Sequence, residues 1–396
     1  MMKKILIVFL FTFFIFSAPV VEYVVADDLT VSTAFYDGYI NFAYDSFDEL
    51  DHSNNLVYSP TSLFYVLMML YSFSGNELET DFENYFGFSK EDMLLEIEHF
   101  TSDIQIETEQ GSFWFQNFLY YDNNPYYYNV SVLEENQPSF NYQLAEYDFS
   151  SGEAGEELAR RITEGTDHFL ELSENDFLDL LSANILFDNT IYYQGIWEEL
   201  FKEENNIEST FFGLNDEETT VTYMVKDSSS ATYIETELAK VGRFYMNDGS
   251  SIAFVLPAED KVLNDVLEDT YFIKSLLVDQ NQYDHRSIHL TLPKFSAESS
   301  LKFEDMLNTI GLGRIYEIGN QYPSLTLESD FQISLIKQVS KIELDEEGVK
   351  VASTTISIGC AASAPPLEFF VNQPFVFIIY SPNDIPLFMG HIYSII

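Results

Sequence analysis

The chain has 396 residues, and its content of 46% hydrophobic and 16% aromatic residues excludes a largely disordered protein and supplies enough apolar surface for a large core. Acidic residues outnumber basic ones by 65 to 18, which gives a formal net charge of −47. This charge excludes nucleic acid and anionic membranes as partners, because both bind basic surfaces, and no Lys/Arg cluster indicates a heparin site. A saline habitat, where salt screens the repulsion, is compatible with it.

The first 26 residues have the pattern of a secretory signal. Lys3 and Lys4 precede the apolar run ILIVFLFTFFIF, and Val24-Val25-Ala26 suits a small-residue cleavage rule. We expect a signal peptide over residues 1–26, a single domain over 27–396, and a secreted, extracellular protein that has no membrane contact once the signal is removed. The alternative is an uncleaved membrane anchor; no later run reaches the roughly 20 apolar residues that a span needs.

Helical patterns dominate the first third of the chain. Aromatic residues spaced among polar ones predict a helix over residues 33–50. Ser59-Pro60-Thr61, an apolar run and then Gly75 predict a second helix between them. Shorter helices are expected over 82–88 and 90–100.

Strand patterns dominate the remainder. They cover residues 112–121, 181–197, 250–258, 288–299, 333–345, 370–380 and 386–395. Helices followed by mixed, mainly antiparallel sheets predict the α+β class, and no change in composition divides the chain into two domains.

No arrangement of residues predicts an enzyme site, a metal centre or a cofactor. His285 and His289 are four residues apart, but their segment is expected to be a strand, which places them two pleats apart in structural or surface positions. Cys360 is the only cysteine, so it forms no intramolecular disulfide, and no nearby histidine activates its thiol. Asn129-Val130-Ser131 is a glycosylation candidate.

Several segments together match one family in its own order. They are NLVYSPTS at 55–62, FDNTIYYQGIW at 187–197, LPKF at 292–295, DEEG at 345–348, and Phe370, Pro374-Phe375 and LFMG at 387–390. This set, which spans about residues 33–396, resembles the serpins, a family of serine protease inhibitors and non-inhibitory relatives. The resemblance implies three β-sheets, eight or nine helices and one exposed reactive loop at about residues 346–366.

The resemblance also implies which residues control the loop. The hinge at its base would comprise Glu346, Glu347, Gly348, Val349, Lys350, Val351, Ala352, Ser353 and Thr354. Trp197 matches the family's gating tryptophan, Lys294 is expected to pair with Glu346, and Asn189 lies within the matching strand motif. Gln338 replaces a family histidine that we place near the top of the fifth strand of the main sheet.

The reactive bond is expected sixteen residues after Glu346, between Ala362 and Ser363; counting back from Pro374-Phe375 places the specificity residue at Ser363 instead. A serpin would act as a suicide substrate, because its cleaved loop inserts as a new strand in the main sheet. The segment suits burial, since one alternating set of residues is small and uncharged. That set is Val349, Val351, Ser353, Thr355, Ser357 and Gly359.

Only small side chains, at Cys360, Ala361 and Ala362, precede the expected bond, so elastase-like or subtilisin-like serine proteases are the expected partners of a monomeric inhibitor. Val349 and Val351 depart from the usual small hinge residues of inhibitors, and Gln338 replaces the family histidine. These three departures keep a non-inhibitory carrier, storage or chaperone-like binding protein as the alternative. An unrelated acidic hydrolase is a third hypothesis, for which no catalytic group stands out.

Overall fold

The computed structural model describes residues 30–106, 112–122, 128–214, 217–228, 231–278, 284–328, 331–333, 336–346, 348 and 366–395. The α-helices in these ranges are α1 (Thr33–Asp48), α2 (Pro60–Phe73), α3 (Asn76–Phe86), α4 (Lys90–Ile104), α5 (Val130–Phe140), α6 (Glu153–Gly165), α7 (Leu263–Leu267), α8 (Thr270–Val278) and α9 (Glu304–Thr309). None of them is long and apolar enough to cross a bilayer.

Most of the strands follow α6 in the chain. They are β1 (Leu56–Tyr58), β2 (Ser112–Tyr121), β3 (Tyr142–Glu146), β4 (Ile185–Gln194), β5 (Ile207–Phe212), β6 (Glu218–Ser228), β7 (Thr232–Glu235), β8 (Ala239–Tyr245), β9 (Ser251–Pro257), β10 (Asp284–His285), β11 (Ile288–Pro293), β12 (Phe295–Lys302), β13 (Lys337–Leu344), β14 (Leu367–Phe370), β15 (Phe375–Tyr380) and β16 (Pro386–Ile392).

Capping residues explain where the first helices begin. The Ser32 hydroxyl accepts a hydrogen bond from the Phe35 amide at the start of α1, and the Ser59 hydroxyl accepts one from the Ser62 amide at the start of α2. Pro60 occupies the first turn of α2, as predicted, and every residue of this helix is buried. The helix predicted over 82–88 is wrong in its bounds, because it is the end of the longer α3.

Several predicted strand runs are too long, including the following three. Residues 181–182 belong to a 3₁₀ helix over Glu174–Ser182, so the ladder begins only at Ile185. The run over 288–299 divides at Lys294 into β11 and β12, which belong to different sheets. The run over 370–380 divides in the same way, because Pro374 has no amide hydrogen for a ladder and separates β14 from β15.

The largest sheet has the strand order β1-β16-β15-β9-β8-β7-β10 and is antiparallel throughout. A second sheet has the order β14-β11-β6-β5, with β11 and β14 parallel. The third expected sheet is present as two parts, β3-β2-β4 and β12-β13. The α+β class is confirmed, and the division of the third sheet creates the candidate site.

The core has two main layers, one on each face of the largest sheet. In β15, Val376 and Ile378 pack with the helices, whereas Phe375 and Phe377 pack with the second sheet. This alternation follows from the two-residue period of a strand and explains why the run FVFIIY is apolar throughout. A smaller cluster lies between α6 and the β3-β2-β4 part.

Candidate functional site

A cleft of about 370 Å³ separates β4 from β13. Strand β4 is paired along one edge with β2, and β13 along one edge with β12; no ladder joins β4 to β13 in the part of the chain that the structure describes. The two facing edges therefore offer backbone N–H and C=O groups to a further strand. Both strands end at the same side of the cleft, because Trp197 follows β4 and its indole Nε1 lies 3.0 Å from the Asp345 carbonyl oxygen after β13.

Apolar side chains line part of both faces of the cleft. Val66 and Leu70 of α2 lie on its core side, together with Phe377 of β15. The chain between α6 and β4 contributes Leu172 and Leu180 on its outer side. Burial of apolar side chains against these walls would stabilise a strand that entered the cleft.

Two lysines of β13 bond the chain that covers the outer side of the cleft. Lys337 Nζ lies 3.4 Å from the Asp176 carbonyl oxygen, and Lys341 Nζ lies 3.5 Å from the Phe169 carbonyl oxygen. The Lys341 ammonium also lies 4.6 Å from the centre of the Phe169 ring. The chain between α6 and β4, which covers the outer side of the cleft, is therefore hydrogen-bonded to β13.

The segment over residues 195–206, which follows β4, holds the base of the expected loop; we call it the hinge clasp. Besides the Trp197 bond to Asp345, the Phe201 amide donates to the Glu346 carbonyl oxygen at 3.3 Å. The Gly348 amide donates back to the Asp345 carbonyl oxygen at 3.2 Å, which turns the chain at the hinge. The clasp therefore bonds Asp345 and Glu346, two successive residues, where the cleft ends.

Gly348 is the hinge residue whose identity is set by geometry. Its φ is +86°, a region that glycine occupies without steric cost. A Cβ at this position would lie 2.6 Å from the Gly195 carbonyl oxygen and 2.8 Å from the Trp197 amide nitrogen. Both contacts are with backbone, so another residue would displace the hinge from the clasp.

The ion pair expected between Lys294 and Glu346 is present, with Nζ 2.5 Å from Oε1. Asn206 donates a second side-chain hydrogen bond to the same carboxylate oxygen. Burial disfavours the charged carboxylate, but the bonds from Lys294 and Asn206 outweigh it and hold the pKa of Glu346 below its ordinary value. The hinge is therefore attached by a charge-assisted contact as well as by backbone bonds.

Gln338 lies at the start of β13, away from the hinge, so its expected position near the top of the strand is wrong. Its side-chain oxygen accepts from the Ser59 amide at 2.9 Å, and its side-chain nitrogen donates to the Ser59 carbonyl oxygen at 3.0 Å. Both polar atoms are used, so a glutamine fits here without a charge. Gln338 fastens β13 to the first turn of α2.

Asn189 faces the core from the opposite strand. Its side-chain nitrogen donates to Asn117 Oδ1 at 2.7 Å, and its backbone carbonyl accepts from the Ser62 hydroxyl at 2.7 Å. Its buried Oδ1 has no hydrogen-bond partner among the described residues. This oxygen is a free acceptor in the wall of the cleft.

Asp188 places a carboxylate in the apolar outer face of the same strand. It is half-buried in the cleft, and burial raises its pKa to about 6, against the opposing effect of a 3.1 Å hydrogen bond from the Thr190 hydroxyl. The sequence offered no signal for this position, because the chain contains 65 acidic residues and periodicity does not reveal which of them meets an apolar wall.

Several predicted site residues lie outside the described ranges. They are Glu347, Val349, Lys350, Val351, Ala352, Ser353 and Thr354 of the hinge, and Ala362 and Ser363 at the expected reactive bond. Residues 1–26, the expected signal peptide, lie outside as well.

The remaining candidates are surface residues. Asn129 is exposed at the start of α5 and makes no capping bond with its side chain, so its amide is accessible. The single strand expected to hold His285 and His289 is wrong, because His285 lies in β10 of the largest sheet and His289 in β11 of the second sheet. His289 Nδ1 lies 2.7 Å from Asp227 Oδ1. Within the described ranges, no three histidine, cysteine, aspartate or glutamate side chains are grouped so that they could hold a metal ion.

Comparison with known proteins identifies this architecture. The family described as "Serpin (serine protease inhibitor)" matches residues 37–395. Human Serpin I2 is 24% identical over 370 residues, covering 89% of each chain, and mouse leukocyte elastase inhibitor A is 25% identical over 370 residues, covering 89% of this chain and 97% of its own. The crystal structure of tengpin, a thermophilic serpin in the native state, superposes with a TM-score of 0.81 at 20% identity, covering 92% of this chain and 95% of that one.

The match runs through both strands that border the cleft and through the hinge clasp. The chain therefore belongs to the serpin family, and the α+β serpin fold expected from its motifs is confirmed.

Proposed function

We propose that this protein is a secreted inhibitor of serine proteases that acts as a suicide substrate. The observation that carries the proposal is the cleft between β4 and β13, whose two strand edges lack a ladder partner in the described structure and whose end is occupied by the hinge. A loop released from the clasp starts at this end of the cleft, so it has a short path into the gap between the two strands.

The covalent step conserves atoms and electrons. The serine oxygen of the protease bonds to the carbonyl carbon of Ala362, the peptide bond to Ser363 breaks, and the amine of Ser363 leaves with the serine proton. The segment after Gly348 then enters the cleft as a strand. About ten new ladder bonds at roughly 0.5–1.5 kcal/mol each would stabilise the inserted form by on the order of 10 kcal/mol.

Small residues before the bond suit proteases with shallow or apolar pockets of the elastase or subtilisin type. A trypsin-like protease requires Lys or Arg for its buried acid, and after Lys350 the loop has neither up to Ala364. The name of the mouse relative, leukocyte elastase inhibitor A, agrees with this choice of target class.

The test is incubation of the purified protein with an elastase and with subtilisin, with trypsin as the matched control protease. We expect a covalent complex that survives boiling in detergent with the first two and none with trypsin. N-terminal sequencing of the released fragment should begin at Ser363. Clean cleavage without a covalent band, and without a rise in melting temperature, would instead establish the non-inhibitory alternative.

Secretion is proposed from residues 1–26 and has its own test. Expression of the full chain in a secreting host should release a protein whose sequence begins at Asp27. Recovery of the intact N-terminus in the membrane fraction would support the uncleaved anchor instead.

A further inference from the structure

Lys226 of β6 is buried beneath the hinge clasp. Only 9% of the residue is exposed, and its ammonium donates a hydrogen bond to the Glu199 carbonyl oxygen. The same ammonium lies 4.8 Å from the centre of the Trp197 ring and 4.4 Å from the centre of the Phe201 ring. One cation therefore contacts three residues of the clasp, and no sequence motif singled it out.

Two of those three residues bond the first hinge residue or the residue before it. Trp197 donates to Asp345 through its indole, and Phe201 donates to Glu346 through its amide. The two rings also pack against each other edge to face, with centroids 5.6 Å apart. The Lys226 ammonium thus contacts the rings of the same two residues that donate hydrogen bonds to Asp345 and Glu346.

The charged groups around Lys226 are few. Burial lowers its pKa to about 7, and the carboxylates of Glu199 and Glu198 oppose that effect from the segment after β4. On the side of the hinge, Glu346 is paired with Lys294. On β11, the residue in register with Lys226 is the apolar Leu290. Partial desolvation strengthens the contact between an ammonium and an aromatic ring.

We propose that Lys226 is a positioning residue that holds Trp197 and Phe201 in place to retain the hinge until the loop is cleaved. Its contribution to inhibition rests on the proposed function, whereas its effect on the hinge does not. The ammonium and the two rings form a support that a neutral side chain of the same length cannot reproduce.

The test is hydrogen exchange of the intact, full chain in the absence of protease. In Lys226→Met, the amides of Phe201 and Gly348 should exchange about tenfold faster, as expected for loss of one desolvated cation–aromatic contact. In Lys226→Arg, which keeps the charge, their protection should be largely restored. Lys240→Met, which removes a half-exposed lysine of β8 whose Nζ lies 3.9 Å from Glu235, is the matched control and should leave both amides unchanged.

A spectroscopic measurement separates positioning from general stability. The chain has two tryptophans, so the Trp114→Phe variant reports Trp197 alone. Its emission should titrate with a midpoint near pH 7, and the titration should vanish when Lys226→Arg is added. Unchanged exchange at Phe201 and Gly348, equal acceleration throughout β9 and β15, or a titration of Trp197 emission that persists in Lys226→Arg would overturn the proposal. A failure to inhibit proteases would leave these readouts unaffected.

Discussion

The ammonium of Lys294 lies 2.5 Å from the carboxylate of Glu346, and the two ends of this ion pair differ in their access to water. The Glu346 side chain is 8% exposed, whereas that of Lys294 is 37% exposed. The Lys294 backbone amide also donates to the Thr222 carbonyl oxygen at 3.0 Å, so the lysine is anchored to β6 at the turn between β11 and β12.

This asymmetry predicts unequal effects of removing either partner. Lys294→Met leaves a buried carboxylate with one fewer donor and should destabilise the hinge by about 1–3 kcal/mol. Glu346→Gln leaves a lysine that water can solvate and should cost less than about 1 kcal/mol. Hydrogen exchange of the Gly348 amide measures both effects. A larger loss of protection in Glu346→Gln than in Lys294→Met would contradict the expectation that the buried carboxylate depends more on its partner than the exposed lysine does.

A Cβ at Gly348 should release the hinge. Gly348→Ala would place a methyl group against the Gly195 and Trp197 backbone, so the emission of Trp197 should shift to the red in the Trp114→Phe background. Gly87→Ala is the matched control, because Gly87 has a φ of +79° but no atom within 4 Å of the added Cβ. The control should cost only about 1 kcal/mol of global stability and leave Trp197 emission unchanged. Equal emission shifts in both variants would refute the steric explanation.

Neutralising Asp188 should stabilise the protein at neutral pH. Its folded-state pKa of about 6 exceeds the unfolded value of 3.8, so stability declines as pH rises from 3.8 to about 6 and is then constant. Asp188→Asn should therefore gain about 1–2 kcal/mol at pH 7.5, after allowance for partial exposure, and little at pH 4. Urea unfolding at the two pH values measures this. Glu298→Gln, on the exposed face of β12, should show no such difference.

A pair of histidines should make the protein sensitive to mild acid. His52 Nδ1 lies 2.9 Å from the Nε2 of the fully buried His391, and burial followed by the effect of His52 lowers the pKa of His391 to about 3. Since the unfolded state takes up this proton near pH 6.5, stability falls as pH drops below that value, by about 2 kcal/mol at pH 5.

His391→Gln should flatten this pH dependence, as measured by the urea midpoint at pH 7 and pH 5. The control is His99→Gln, since the His99 side chain is 59% exposed and should leave the slope unchanged. If the urea midpoint of His391→Gln still falls between pH 7 and pH 5 as in the unmodified protein, groups other than His391 cause the loss of stability in acid.

Insertion should tolerate a charge on only one face of the loop. Thr355→Arg would place a guanidinium on the face expected to enter the core and should convert the protein from an inhibitor to a substrate, because burying an unpaired charge costs several kcal/mol. Thr354→Arg, one residue away, is the matched control and should retain the covalent complex. Equal loss of the complex in both variants would show that the facing assignment is wrong.

The sequence predicted the elements whose signals are local. Ser59 and Pro60 set the start of α2 because a cap and a first-turn proline act within a few residues. The division of the strand runs at Lys294 and Pro374 was missed, since periodicity continues across both and only the sheet topology separates their two sides.

The parts of the site that depend on distant contacts were not predictable from pattern alone. Lys226 and Asp188 resemble many other charged residues of the chain until the fold brings apolar walls around them. Gln338 was assigned to the wrong end of its strand because a motif gives an identity but not a position along a ladder. The contact of Lys294 with Glu346 followed from two motifs that each mark one partner.

The unpaired edges of β4 and β13 have a consequence for how the stability of this protein should be measured. Under the suicide-substrate mechanism that we propose, the uncleaved fold is held by a barrier and is not at its lowest free energy. Its apparent melting temperature will therefore depend on the heating rate, and its shelf life will follow the height of that barrier. For such a molecule the lifetime of the uncleaved form is the quantity that describes it best.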